Sequence, residues 1–262
     1  MRAFGSRMTH RDRPSRIDQR RALSGRGYWL YGFHAARAAL GNPTRTITRA
    51  LLAEAVAPKL EGVLGEVPTE ICNPQKIAQA LPKDAVHQGV ALLCEPLPER
   101  DLDEVIETSP PGTRRFAVLD QITDPHNEGA ILRSAAAFGF TGVVVQARHS
   151  PPESGVLAKA ASGALDQIPR ITVVNIARAL EDMARFGIWR IALAADGPED
   201  IRAALNGNDV ALVLGAEGSG VRRLVRERCD ITAHIPMRGK IESLNVSNAA
   251  AIALYEIARS AK

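Results

Sequence analysis

The chain has 262 residues, 45% of them hydrophobic and 24% charged, with a formal net charge of +4. That length and apolar content allow a sizeable core, in two modest domains or one large one. No apolar run approaches the ~20 residues that span a bilayer, and the arginine-rich start lacks the continuous apolar segment of a secretory signal. A cytoplasmic protein without a membrane partner is expected.

The three cysteines, Cys72, Cys94 and Cys229, are odd in number and far apart, and the six histidines form no HExxH-type cluster. Neither a disulfide framework nor a metal site is suggested. Charge is unevenly placed. Residues 1–27 hold eight arginines against Asp12 and Asp18, a net +6 that leaves −2 on the rest. Such a tail, without hydrophobic periodicity, is expected to be disordered. It either grips a polyanion without reading its sequence or merely solubilises the chain.

From Tyr28 the character changes. Trp29 to Tyr31 reads as a strand, and Gly32 to Leu40 as a helix stopped by Gly41 and Pro43. Ile47 to Ala53, Thr69 to Cys72 and Gly89 to Cys94 read as further strands. Lys59 to Leu64 and Gln75 to Leu81 read as helices, the second opened by Pro74. Residues 28–95 thus form a small alternating α/β domain. Pro96, Pro98, Pro110 and Pro111 mark 96–114 as a linker, in which Leu102, Val105 and Ile106 have the spacing of one short apolar helix face.

Over 115–262 the alternation resumes with stronger runs. Strands are expected at Phe116–Leu119, Gly142–Gln146, Ile171–Val174, Trp189–Ala194, Val210–Leu214 and Ile231–Ile235, with helices between them. That order predicts a parallel sheet covered on both faces. In the first crossover, Asn127 is the expected helix N-cap and Gly139 the stop. Ile131, Ala135 and Phe138 share the core face, and Arg133 points away from it with an arm able to reach back toward the Asn127 loop.

Two polar loops follow strands and precede helices. One is GAEGSG at Gly215 to Gly220; the other runs from Ile235 to Ser247, IPMRGKIESLNVS, where Ser247 is a candidate cap for the alanine-rich helix that follows. In a parallel sheet both fall at the carboxyl edge, where they can line one crevice. GAEGSG is neither a GxGxxG fingerprint nor a phosphate-binding loop ending in Lys-Ser/Thr. Its glycines indicate only a close approach to the backbone.

Three blocks, DPHNEGAILRSA, LVLGAEGSGV and IPMRGKIESLNVSNAAAIALYE, stand in this order and spacing. Together they resemble the three motifs of the SpoU (TrmH-type) branch of the SPOUT RNA methyltransferases. YGFHAARAAL at Tyr31 to Leu40 and HQGVAL at His87 to Leu92 are similar to the L30-like RNA substrate-binding domain of the same enzymes. The arginine tail is not part of that pattern.

The resemblance implies an α/β protein with a deep trefoil knot in the C-terminal domain and S-adenosylmethionine bound in the knot. The implied reaction is methyl transfer to a ribose 2′-hydroxyl of RNA, a guanosine of large-subunit (23S) ribosomal RNA, with transfer RNA as the alternative. Arg133 then activates the hydroxyl, either as a base or by holding phosphate and developing alkoxide. A guanidinium is a poor general base, which favours the second role. Asn127 and Glu217 orient the site, and Ser243 and Asn245 lie near the reacting hydroxyl. Gly215, Gly218, Ile235 and Leu244 contact the cofactor.

The resemblance also implies a homodimer. That suits the helix Asn248 to Ala258, which is apolar on more than one face through Ala249, Ala250, Ile252, Ala253, Leu254 and Ile257. A non-catalytic RNA-binding protein and a nucleotide-binding enzyme of another kind are the competing readings. The retained motif residues weigh against the first, and the missing phosphate-loop signatures against the second.

Overall fold

Strand runs that are apolar at every position need cover on both faces, and the second half of the chain supplies several. The structure, a computed structural model, describes residues 27–239 and 243–260. Apart from Gly27, the basic tail lies outside the described residues, as do three residues of the last polar loop.

The first unit runs β1 (Tyr28–Tyr31), α1 (Phe33–Gly41), β2 (Ile47–Leu52), α2 (Ala57–Leu64), β3 (Thr69–Ile71), α3 (Pro74–Gln79) and β4 (Val90–Cys94). Its sheet has the order β1-β4-β2-β3, with β4 antiparallel to both neighbours and β2 parallel to β3. Period-two alternation sorts its side chains. Leu30, Leu52 and Leu92 enter the main core, while Tyr31, Leu51 and Ala91 pack with Ile77 of α3 on the other face.

The proline-marked stretch 96–114 holds a short helix, α4 (Leu102–Thr108), capped by Asp101. Its buried Leu102, Val105 and Ile106 pack with residues of the second sheet, so this stretch is docked and not a free tether.

The second unit continues β5 (Arg115–Asp120), α5 (Pro125–Ala137), β6 (Gly142–Gln146), α6 (Gly155–Ala161), β7 (Arg170–Val173), α7 (Ile176–Arg185) and β8 (Trp189–Leu193). It closes with β9 (Glu199–Asp200), β10 (Val210–Gly215), α8 (Arg223–Arg226), β11 (Ile231–His234) and α9 (Val246–Ser260). All seven strands are parallel, in the order β7-β6-β5-β10-β8-β11-β9. β9 was not expected, because two polar residues carry no strand period.

Ala117, Leu119, Val143, Val145, Leu212 and Leu214 face α5, α6 and α9 in one core cluster. Their alternates Phe116, Val118, Val144, Ala211 and Val213 face α4 and α7 in another. The sheet is therefore covered on both sides, and its free carboxyl edge gathers the loops that follow β5, β10 and β11.

Two helix starts differ from expectation. Asp124, not Asn127, caps α5 by accepting from the His126 N–H at 2.9 Å, with Pro125 in the first turn. The asparagine is the third residue of the helix, three positions past its cap. Likewise Asn245, not Ser247, caps α9: its Oδ1 accepts from the Ser247 N–H at 2.9 Å, from the Asn248 N–H at 3.4 Å and from the Ser247 hydroxyl at 2.5 Å.

Candidate active site

Because Asp124 caps α5, the Asn127 side chain is left to point into the edge crevice, and Asn245, whose Oδ1 caps α9, still has its Nδ2 to turn the same way. There they meet Glu217. Asn245 Nδ2 donates to Glu217 Oε1 at 2.6 Å and to Asn127 Oδ1 at 3.1 Å. Asn127 Nδ2 also faces Glu217 Oε1, at 3.4 Å, and the Val246 N–H approaches the same oxygen at 3.5 Å. One carboxylate oxygen thus ties together residues 90 and 28 positions apart in sequence, one from each motif.

A cavity of about 550 Å³ opens beside this cluster. Gly215, Gly218, Ile235 and Leu244 line it, as do Glu217 and Ser243. Leu193, Leu214, Met237 and Val246 complete an apolar wall that the sequence did not point to, since Leu193 and Leu214 read as ordinary strand residues and Met237 and Val246 as single apolar residues in a polar loop. Volume, apolar walls and a few convergent polar groups match small-molecule pockets, which run ~300–1,000 Å³. A flat aromatic base can lie between the apolar walls, and exposed loop amides and Glu217 can meet polar groups, so the residues present fit S-adenosylmethionine. A larger cavity of about 740 Å³ lies between residues 96–100 and 146–153 and includes none of the motif residues.

The 215–220 loop is built to close tightly. A Cβ on Gly215 would sit 2.0 Å from the Gly220 carbonyl carbon, and the Gly220 N–H donates back to the Ala216 carbonyl at 2.9 Å. Gly215→Ala must therefore displace backbone, and a loss of about 1–3 kcal/mol in unfolding free energy is expected, in the range of overpacking. Chemical denaturation checks this: the midpoint should fall at unchanged slope, and an unshifted midpoint would mean that the loop is slack.

Two buried acids near the site left no trace in the motif reading. Asp120, at the end of β5, is fully buried and accepts from the Arg222 N–H at 2.9 Å and from Arg222 Nε at 2.8 Å, fixing the start of α8. Glu128, next to Asn127, is fully buried against Arg170, whose Nε lies 2.5 Å from Oε1. Burial pushes its carboxyl above the ordinary range while Arg170 pulls the other way.

Arg133 is exposed on α5 and makes no hydrogen bond or ion pair among the described residues. The arm expected to reach back toward Asn127 is therefore not seen in contact with that cluster. Ser243 lies at the rim, exposed. Burial pushes the Cys94 and Cys229 thiols up to about 12, so neither is a nucleophile at neutral pH. Among the described residues, no group of three or more His, Cys, Asp or Glu side chains is placed to hold a metal, and no helix is long and apolar enough to cross a membrane.

Comparison with known proteins gives the arrangement a lineage. Residues 114–255 match the SpoU rRNA methylase family, and residues 29–100 match the RNA 2′-O ribose methyltransferase substrate-binding family. The chain is 37% identical over 239 residues to the 23S rRNA (guanosine-2′-O-)-methyltransferase RlmB of Vibrio vulnificus, covering 88% of this chain and 96% of the relative. It is also 37% identical over 248 residues to RlmB of Xanthomonas campestris, covering 90% and 98%. Among solved structures, the SpoU methyltransferase AviRb from Streptomyces viridochromogenes, in complex with the cofactor AdoMet, superposes with a TM-score of 0.76. That match covers 94% of this chain and 98% of AviRb, and its 24% identity speaks to the fold alone. With one family model spanning more than half of the chain and relatives matched over nearly their whole length, the chain belongs to the SpoU rRNA methylase family.

Proposed function

We propose that this protein transfers a methyl group from S-adenosylmethionine to the ribose 2′-hydroxyl of a guanosine in 23S ribosomal RNA. The observation that carries the reading is the meeting of Asn127, Glu217 and Asn245, one residue from each motif, at the mouth of an apolar cavity. The choice of ribosomal over transfer RNA rests on relatives named for 23S RNA that match the first unit as well as the second.

When bound, S-adenosylmethionine supplies an electrophilic methyl on a sulfonium. The chain's own residues do the rest. Gly215, Gly218, Ile235 and Leu244 hold the cofactor through apolar walls and loop backbone. Glu217, gripping Asn245 and Asn127, fixes the three loops relative to one another, so that the ribose meets a preset frame. Ser243, at the rim, hydrogen-bonds the ribose. Arg133, exposed and without a hydrogen bond or ion pair among the described residues, serves the RNA phosphate and the negative charge that develops on the attacked oxygen.

The trefoil knot is part of the same reading. It is supported by a sheet order in which β10 returns between β5 and β8 before β11 emerges beyond β8. A homodimer is supported by α9, which buries Ala250, Ala253, Leu254 and Ile257 yet leaves Ile252 and Tyr255 about half exposed. The Tyr255 ring rests against Phe138, just past the end of α5, with ring centroids 5.7 Å apart. The first unit is read as L30-like and RNA-binding, and the site of action as the cytoplasm.

The direct test is incubation of purified protein, S-adenosylmethionine labelled in the methyl group and deproteinised large-subunit RNA, with a strong chelator present. Nucleoside digestion should yield labelled 2′-O-methylguanosine. A base-methylated product, or transfer only after metal is restored, would overturn the reading.

The tail yields a separate prediction. Its +6 charge should add salt-sensitive, sequence-indifferent RNA affinity. Deleting residues 1–27 is expected to weaken RNA binding and flatten its salt dependence while the methylated nucleotide stays the same. An unchanged salt slope in paired titrations would show that the tail is no RNA arm.

A further inference from the structure

Between the two units lies a seam that the chemistry above does not use. Arg45 projects from the first unit with its side chain fully buried, and its Nε donates to Asp166 Oδ1 of the second unit at 2.7 Å. Its Nη1 is shared among Glu153 of the second unit, the Glu95 carbonyl and the Tyr28 hydroxyl. Tyr28 in turn donates to Glu153 at 2.7 Å, and Asn42 donates to Asp166 at 3.1 Å. One guanidinium thus sits between two carboxylates that are themselves almost wholly shielded from water.

The surrounding packing is equally specific. A Cβ on Gly155 would lie 2.2 Å from the Trp29 carbonyl oxygen and 2.5 Å from the Tyr31 ring, so β1 rests directly on the start of α6. Lys159 of α6 donates to Gln88 of the first unit at 2.6 Å, and the same Gln88 oxygen accepts from the Phe33 N–H at 3.1 Å. Leu30 and Ala35 of the first unit share one core cluster with Leu157 and Ala161 of the second.

A seam of this construction resists opening. Pulling the units apart would strand a buried cation and two shielded carboxylates, and removing one partner of such a pair costs far more than the pair contributes. The first unit is therefore a fixed gauge and not a swinging arm. We infer that Arg45 is a specificity-determining positioning residue: by pinning Glu153 and Asp166 it sets the distance between the RNA-holding unit and the methyl-transfer loops, and so selects which ribose is presented. This rests on the RNA 2′-O-methyltransferase reading above. No contact between Arg45 and substrate is required.

The test uses the full-length enzyme and two variants. Arg45→Met removes the clamp. The triple variant Arg45→Met, Glu153→Gln, Asp166→Asn removes it without leaving unpaired charge, in case the single variant folds poorly. The readouts are S-adenosylmethionine affinity, the distribution of 2′-O-methyl groups along large-subunit RNA, and hydrogen exchange of amides in residues 28–45 and 153–166.

The wild type should place nearly all methyl groups at one nucleotide and protect the seam amides as strongly as β5 and β10. In the variants, cofactor affinity should stay within about twofold, seam protection should fall at least tenfold, and less than half of the methyl groups should remain at the original nucleotide. Arg45→Lys, which reaches only one carboxylate, should give an intermediate distribution. A merely stabilising role would lower total yield without redistributing it, and that result in both variants would overturn the inference. So would wild-type seam amides that exchange like surface loops. A wild-type enzyme that methylates no ribose refutes the functional reading instead, while its seam protection still reports whether the two units are clamped.

Discussion

Arg133→Ala is expected to reduce methyl transfer by roughly 10³-fold while leaving cofactor affinity and fold nearly unchanged. The side chain is exposed and makes no hydrogen bond or ion pair among the described residues, so its loss removes no packing and no ion pair. In the proposed role it holds phosphate and stabilises developing charge as a planar cation, and deleting one such donor from a transition state costs ~10²–10³ in rate or more. Lysine should rescue poorly, because a point charge on a flexible stem lacks the two-pronged geometry of guanidinium. Single-turnover kinetics with calorimetric cofactor titration separates the effects. An Arg133→Lys enzyme with near-normal turnover would remove Arg133 from the role assigned to it.

Asn245→Ser is the second large effect, and it isolates one of the two tasks that Asn245 performs. Its Oδ1 caps α9, and its Nδ2 bridges Glu217 and Asn127. Serine caps a helix about as well as asparagine, so thermal stability should change little. The amide donor to the carboxylate is lost, however, and a hydrogen bond to a charged group contributes about 1.5–3 kcal/mol. If that bond fixes the loops for catalysis, kcat/KM should fall roughly 10- to 100-fold. Asn245→Ala, which loses the cap as well, should add a stability loss of about 1 kcal/mol. Serine and alanine variants with wild-type kcat/KM would show that the Asn127–Glu217–Asn245 cluster is only a loop fastener.

How much of this was legible in the chain differs from residue to residue. The order of strands followed from apolar runs, and the meeting of the loops after β10 and β11 followed from the rule that loops of a parallel sheet share its carboxyl edge. Glu217 and Asn245 were legible only through the resemblance of their blocks to the SpoU motifs, since neither loop carries a signature of its own. The roles of Asn127 and Asn245 at the helix starts were not, since Asp124 and Ser247 are equally good capping types within three residues and only backbone geometry decides between them. The pairs Arg45–Asp166 and Glu128–Arg170 were invisible for another reason. Their partners lie 121 and 42 residues apart, and a long-range ion pair imprints no period on either segment. The apolar helix in the proline-rich stretch was half legible: Leu102, Val105 and Ile106 gave its face, but nothing local said that the face is buried against the second sheet.

The central claim, methylation of a guanosine ribose in large-subunit RNA, is tested most directly by mapping ribose and base methyl groups in ribosomal and transfer RNA from cells that lack this protein. The map is then repeated after complementation with the wild type or with Arg133→Ala. The account predicts one guanosine that loses its ribose methyl in the deletion, regains it with the wild type and stays unmodified with Arg133→Ala. Identical maps in the deletion and the wild type, or a lost methyl that lies in transfer RNA or on a base, would contradict it.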